Sequence, residues 1–135
     1  MKPTRLHHLA LITDDIDAAL TFWRDALGLE VSHRQENPTE QAEIAFLPVG
    51  ESEIELVRPT AADSGLGRYL AKRGAGMHHV CLQVPDIEAT LARLKAQGVE
   101  LITEAPRERE DGTRYAFIHP RSAFGVLVEL YELPA

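Results

Sequence analysis

Residues 7–20 read HHLALITDDIDAAL and residues 78–91 read HHVCLQVPDIEATL, so seven of fourteen positions are identical at a constant offset of 71. The correspondence runs further. Gly28-Leu29-Glu30-Val31 is echoed by Gly98-Val99-Glu100-Leu101, Ala45-Phe46-Leu47 by Ala116-Phe117-Ile118, and Ile54-Glu55-Leu56-Val57 by Val128-Glu129-Leu130-Tyr131. The offset drifts only between 70 and 74, as short loop insertions would produce. The chain is an internal duplication, and its fold must be built from two copies of one unit.

Each copy predicts the same elements. A short apolar run (8–13 and 79–84) reads as a buried strand. A helix follows, opened at Asp14-Asp15 or Pro85-Asp86, because an aspartate carboxylate accepts the free N–H groups of a first turn. Ile16, Ala19, Leu20, Trp23 and Leu27 make one apolar face, and Ile87, Leu91 and Leu94 another. Gly28 and Gly98 are expected to stop these helices. Three strands complete each copy, near 29–34, 43–49 and 52–58, then near 99–103, 114–119 and 126–132. A linker helix over 63–73, capped by Asp63 or Ser64, joins the two βαβββ modules, which span about 5–58 and 77–132 of a single domain, 1–135.

Side chains alternate between the faces of a strand, so residues two apart share a face. With Leu9 and Leu11, or Val80 and Leu82, turned toward the helices, His8 and His79 point the other way. With Ile54 and Leu56, or Val128 and Leu130, packed under the helices, Glu55 and Glu129 point the other way too. A lone histidine at a strand start is ordinarily structural, and a lone glutamate on an edge is ordinarily solvated. A carboxylate flanked by apolar residues in a buried strand needs a partner, however, and here the pair recurs at duplicated positions. His8, Glu55, His79 and Glu129 are therefore the expected metal ligands. Two imidazoles and two carboxylates without thiolate suit Co²⁺, Mn²⁺, Ni²⁺, Fe²⁺ or Zn²⁺. The same parity argument puts His7 and His78 on the opposite face, as structural or strand-entry residues; His33 and His119 carry no such argument and are expected in solvent by default.

The bulk properties narrow the function. A formal net charge of −7 disfavours binding to a phosphate backbone, so no nucleic-acid partner is expected. The one cysteine, Cys81, excludes an intrachain disulfide and any C-x-x-C motif. No apolar run approaches 18 residues and no signal-peptide pattern is present, so the expectation is a cytoplasmic protein away from membranes.

Several stretches carry a family resemblance: His8-Leu9-Ala10, GESEIELVRP at 50–59, GAGMHH at 74–79 and HPRSAFGVLVEL at 119–130. With the paired units, they resemble the vicinal-oxygen-chelate (glyoxalase/bleomycin resistance/dioxygenase) superfamily, and within it most closely the methylmalonyl-CoA epimerases. The resemblance implies an α+β fold in which two paired βαβββ modules form a curved, partly closed eight-stranded sheet around a metal site. It implies a homodimeric isomerase with a divalent metal, Co²⁺ first, that interconverts the 2R and 2S forms of methylmalonyl-CoA by 1,1-proton transfer through an enolate. Such a reaction needs a proton carrier on each face of C2. In the family one is the final glutamate, here Glu129, and the other lies early in the third strand, where Glu43 matches and Glu40 competes. Taking Ile44 and Phe46 as packed on the helix puts Glu43, Ala45 and Leu47 on the cavity face.

Two departures from the family pattern stand out. The approach to the third strand is one residue short at Glu40-Gln41-Ala42-Glu43, and the loop pattern P-R-x-G-x-x-G appears at 106–112 as PREREDG, with Arg109 in place of the first glycine. Arg68, Lys72, Arg73, Arg107, Arg109 and Arg121 make the middle and C-terminal half the more basic region, suited to the phosphates of an acyl-CoA. Two alternatives remain: a glyoxalase I-like lyase acting on a thiol hemithioacetal, and a non-catalytic small-molecule-binding module of the same fold.

Overall fold

The computed structural model describes residues 2–135. The chain falls into two compact units, one of Leu9–His78 and one that joins the N-terminal residues through His8 to His79–Ala135. Strands β1 (Arg5–Ile12) and β5 (Gly76–Gln83) each run from one unit into the other.

In the first unit, α1 (Ile16–Leu20) is followed by β2 (His33–Asn37), β3 (Ala42–Val49), β4 (Ser52–Pro59) and α2 (Gly65–Arg73). The antiparallel β2-β3-β4 register sets His33 opposite Phe46 and Phe46 opposite Glu55. In the second unit, α3 (Ile87–Ala96) precedes β6 (Arg107–Glu108), β7 (Arg114–Ile118) and β8 (Val128–Glu132), in the sheet order β5-β8-β7-β6. Here β5 and β8 are parallel, and β8-β7-β6 antiparallel.

The duplication survives in backbone detail. Asp15 caps α1 with φ −150° and ψ 100°, its side chain accepting from the Ala18 N–H. Asp86 caps α3 with φ −148° and ψ 100° and accepts from the Ala89 N–H. Ser64 caps the linker helix through the Gly67 N–H. Each unit has a core under its helix. Ile16, Leu20, Ala45, Leu47 and Leu56 form one, with Leu11 and Ile54 packed against it. Val84, Ile87, Leu91, Ala116, Ile118 and Leu130 form the other, with Leu82 and Val128 against it.

Three expectations change. The first helix widens into a π-helix at Thr21–Ala26, with the Leu27 N–H bonded to Phe22 O at 2.8 Å. A π turn holds more residues than the 3.6 of an α turn, so Leu27 leaves the apolar face and stands 56% exposed. The strand near 29–34 begins only at His33. The one near 99–103 shrinks to a single bridge between Leu101 and Ile118, and two-residue β6 takes the edge.

Candidate functional site

Within the second unit, β8 pairs with β5 so that Glu129 stands opposite Cys81, on the face that alternation also gives to His79. Leu82 and Leu130 face the helix core instead. His8 enters from β1 and is 1% exposed, as is Glu129. The three functional groups converge. His8 Nε2 lies 3.1 Å from His79 Nε2, and Glu129 Oε1 lies 3.1 Å from His79 Nε2 and 3.5 Å from His8 Nε2.

Two imidazole nitrogens and a carboxylate oxygen pointed at one another make a donor set that a divalent cation would fit, because a cation lets all three act as lone-pair donors at once. One ligand atom from each of His8, His79 and Glu129 falls within 4.8 Å of the others. Burial opposes ionisation of Glu129, but the contacts from His79 and His8 outweigh it and hold the carboxyl down to about 2.

The surroundings fix these groups. His8 Nδ1 is 2.8 Å from His7 Nδ1, which leaves Nε2 for the cluster. Burial, with the charges of His8 and Arg5, lowers His7 to about 4, so it is a neutral partner. His7 was expected on the opposite face as a structural residue; its ring instead packs edge-on against His8 at 5.1 Å and at a tilt against Tyr131 at 4.7 Å. Arg109 reaches in from the 104–113 loop and donates from Nη2 to Glu129 Oε2 at 3.2 Å. Its guanidinium lies 4.2 Å from the Tyr115 ring centroid and 5.6 Å from that of Tyr131. Arg109 was not among the expected site residues; the signal for it in the sequence is its replacement of a loop glycine.

Glu55 belongs to the first unit. It is 7% exposed in mid-β4, and its neighbours Ile54 and Leu56 pack in the α1 core while Val57 packs with Ala10, Ala42 and Ile44 on the other face. The expected parity of β4 therefore holds.

The expected parity of β3 does not. Ala45 and Leu47 belong to the α1 core, and Ile44 packs with Ala10 and Val57. Glu43, in phase with Ala45, therefore lies on the helix face, the opposite of Glu55. Its carboxylate is held by Arg34 Nη2 at 2.9 Å and Arg58 Nε at 3.1 Å, and Arg34 also binds Asp17 of α1 at 2.7 Å. The cause lies in β3 itself: Ala42, Ile44, Ala45 and Leu47 are all buried, so both faces are apolar and alternation cannot tell them apart. The competing Glu40 sits in the turn before β3, its N–H bonded to Asn37 Oδ1.

A duplicated βαβββ unit with a converging His/His/Glu set defines a class, and the comparisons agree. The chain matches the Glyoxalase/Bleomycin resistance protein/Dioxygenase superfamily over residues 7–117, and it belongs to that superfamily. It is 35% identical over 132 residues to the mitochondrial methylmalonyl-CoA epimerase of Mus musculus, covering 97% of this chain and 74% of that one. It is 34% identical over 131 residues to the ethylmalonyl-CoA/methylmalonyl-CoA epimerase of Cereibacter sphaeroides, covering 96% and 98%. A solved methylmalonyl-CoA epimerase in complex with methylmalonyl-CoA and NH4+ superposes with a TM-score of 0.89 at 34% identity, covering 99% of this chain and 97% of that one. Likeness to the lactoylglutathione lyase of Haemophilus influenzae is weaker, at 26% identity over 119 residues, 88% of this chain and 87% of that one.

Proposed function

We propose that this protein is a metal-dependent epimerase that interconverts (2R)- and (2S)-methylmalonyl-CoA. The observation that carries the reading is the convergence of His8, His79 and Glu129 in a chain about a third identical, over nearly its whole length, to epimerases of that substrate. Glu55, the duplicate of Glu129, is the proposed fourth ligand. A divalent cation bound by these residues would supply Lewis-acid stabilisation of the negative charge that grows on the thioester oxygen as C2 loses its proton. Co²⁺ is the first choice, with Mn²⁺, Ni²⁺, Fe²⁺ and Zn²⁺ as substitutes.

The chain's own groups move the proton. Glu129 is ionised at neutral pH, and Oε2, the oxygen turned away from His79 and His8, is the proposed acceptor. Inversion at C2 needs a second carrier on its other face. The pairing of Glu43 with Arg34 and Arg58 on the helix face speaks against Glu43 in that role. Glu40, the competing candidate before β3, is the proposed second carrier.

The reading includes a homodimer acting in the cytoplasm; among the described residues no helix is long and apolar enough to cross a membrane. It is tested by assaying one metal-loaded preparation against methylmalonyl-CoA and against the methylglyoxal–glutathione hemithioacetal. Turnover of the CoA ester alone supports it. Turnover of the glutathione adduct alone replaces it with a lyase, and binding without turnover of either replaces it with a binding module.

A further inference from the structure

Cys81 stands on β5 opposite Glu129, fully buried and in no disulfide. A buried cysteine in a strand is ordinarily a small apolar filler. Two histidines set this one apart. A nitrogen of His7, a nitrogen of His8 and the Cys81 Sγ all lie within 4.8 Å of one another. This is a second donor set in the same unit, and it shares only His8 with the His8, His79 and Glu129 cluster. His8 presents an edge to each side: its Nε2 faces His79 Nε2 at 3.1 Å, and its Nδ1 faces His7 Nδ1 at 2.8 Å. A metal bonded to nitrogen at about 2.0 Å and to sulfur at about 2.3 Å holds its donors about 3.3–3.8 Å apart. The three donors are within side-chain adjustment of that spacing.

We propose that His7, His8 and Cys81 form a second metal site, one that takes the thiophilic cation Cu⁺, and that its occupation excludes the divalent metal from the neighbouring cluster. Two imidazoles and a thiolate are a trigonal donor set suited to copper, whereas the carboxylate-bearing set beside it suits harder divalent ions. As the sulfur–metal bond forms, the thiol proton passes to solvent. One thiolate and one Cu⁺ then leave the site without net charge, which favours this cation over a divalent one in a buried place. The copper remains Cu⁺, and no electron moves. Exclusion follows from the imidazole itself. A neutral ring has one lone-pair nitrogen, and the other carries the N–H. A cation on His8 Nδ1 puts the ring proton on Nε2, the nitrogen turned toward His79 and Glu129. His8 therefore serves one metal at a time. His7, which is only partly buried, opens the site to solvent. The exclusion rests on the ligand assignment proposed above and names a regulator of that site.

The experiment titrates metal-free protein with Cu⁺, supplied without oxygen as its acetonitrile complex, and follows the thiolate-to-metal charge-transfer band in the ultraviolet. Wild type is expected to bind Cu⁺ stoichiometrically and to develop the band. Cys81→Ala should lose the band and bind Cu⁺ at least about 100-fold more weakly, because loss of even an outer partner of a metal ligand costs about 10- to 100-fold. Cys81→Ser, which keeps the size of the side chain without a soft donor, should behave in the same way. Co²⁺ is then added and the bound metal measured by elemental analysis. Wild type carrying Cu⁺ should take up at least about tenfold less Co²⁺ than wild type that has met no Cu⁺. Both Cys81 variants should load with Co²⁺ whether or not Cu⁺ was added first. A wild type that develops no band, or Cu⁺ affinity unchanged in the Cys81 variants, overturns the site. Full loading of wild type with Cu⁺ and Co²⁺ together overturns the exclusion. Failure of the readings beneath it is seen separately: absence of Co²⁺ binding by untreated wild type removes the divalent cluster, and absence of methylmalonyl-CoA turnover removes the epimerase. In either case the Cu⁺ titration alone decides whether Cys81 is a ligand.

Discussion

Arg109 and Glu129 form an ion pair at 3.2 Å through Oε2, while the other oxygen of the same carboxylate faces His79 Nε2 at 3.1 Å. One buried side chain is thereby divided between a ligand cluster and a cation. Contacts from His79 and His8 let Glu129 be ionised at 1% exposure, and Arg109 satisfies its other oxygen. In the proposed reaction Oε1 would hold the metal and Oε2 would face the substrate.

The ligand assignment predicts that His8→Ala and His79→Ala each lose at least about 90% of bound metal, as expected when one of few ligands is removed. Catalysis should fall with metal content, and far-ultraviolet circular dichroism should be unchanged. Elemental analysis checks this; a stoichiometric metal load in either variant would remove that histidine from the ligand set. Glu55→Ala tests the fourth ligand in the same way.

Glu43→Gln should retain wild-type turnover within about threefold and lose about 1 kcal/mol of stability or less, the usual range for an ion pair near the surface. Denaturant unfolding and the epimerase assay read the two effects separately. Loss of turnover with stability intact would return Glu43 to the reaction.

Acid stability should depend on the same residue. Burial opposes ionisation of Glu43, and hydrogen bonds from Arg58 and Arg34 outweigh it, so its folded value lies below the ordinary 4.5. A depressed carboxylate contributes stability that is complete above the unfolded value and lost as pH falls through the lower folded value. The wild-type advantage over Glu43→Gln should therefore be constant at neutral pH, begin to fall near 4.5 and vanish only below the lower folded value. An advantage that instead grew on acidification would contradict the pairing.

Asp15→Ala and Asp86→Ala should each cost about 1 kcal/mol, the usual worth of an aspartate N-cap, because both accept from the N–H three residues on. Chemical denaturation midpoints check the pair, and a clear cost in one with none in the other would show that the two caps have diverged.

Gly112→Ala should destabilise by roughly 1–2 kcal/mol, since φ is +89° and an added Cβ would lie 3.3 Å from Pro134 Cβ. Denaturant unfolding checks this, and an unchanged midpoint would show that the turn accepts a side chain without strain.

Much of this arrangement was legible before any coordinates. The parity of β4 and β8 could be read because Glu55 and Glu129 interrupt runs whose apolar neighbours have one destination, the helix core. The caps at Asp15 and Asp86 were legible because capping is local. β3 was misread because it is buried on both faces, and the π turn was missed because its signature is a shift in phase, not a residue type. The roles of His7 and Arg109 lie in contacts made through folding: His7 meets Tyr131, and Arg109 meets Glu129, across long sequence separations.

The central claim is tested most directly by proton NMR of one stereoisomer of methylmalonyl-CoA in D₂O with the metal-loaded protein. The predicted result is loss of the C2 proton signal, appearance of the other stereoisomer and deuterium at C2, all abolished in His79→Ala. A C2 proton that persists, with no second stereoisomer, while the same preparation turns over the glutathione hemithioacetal would contradict the account.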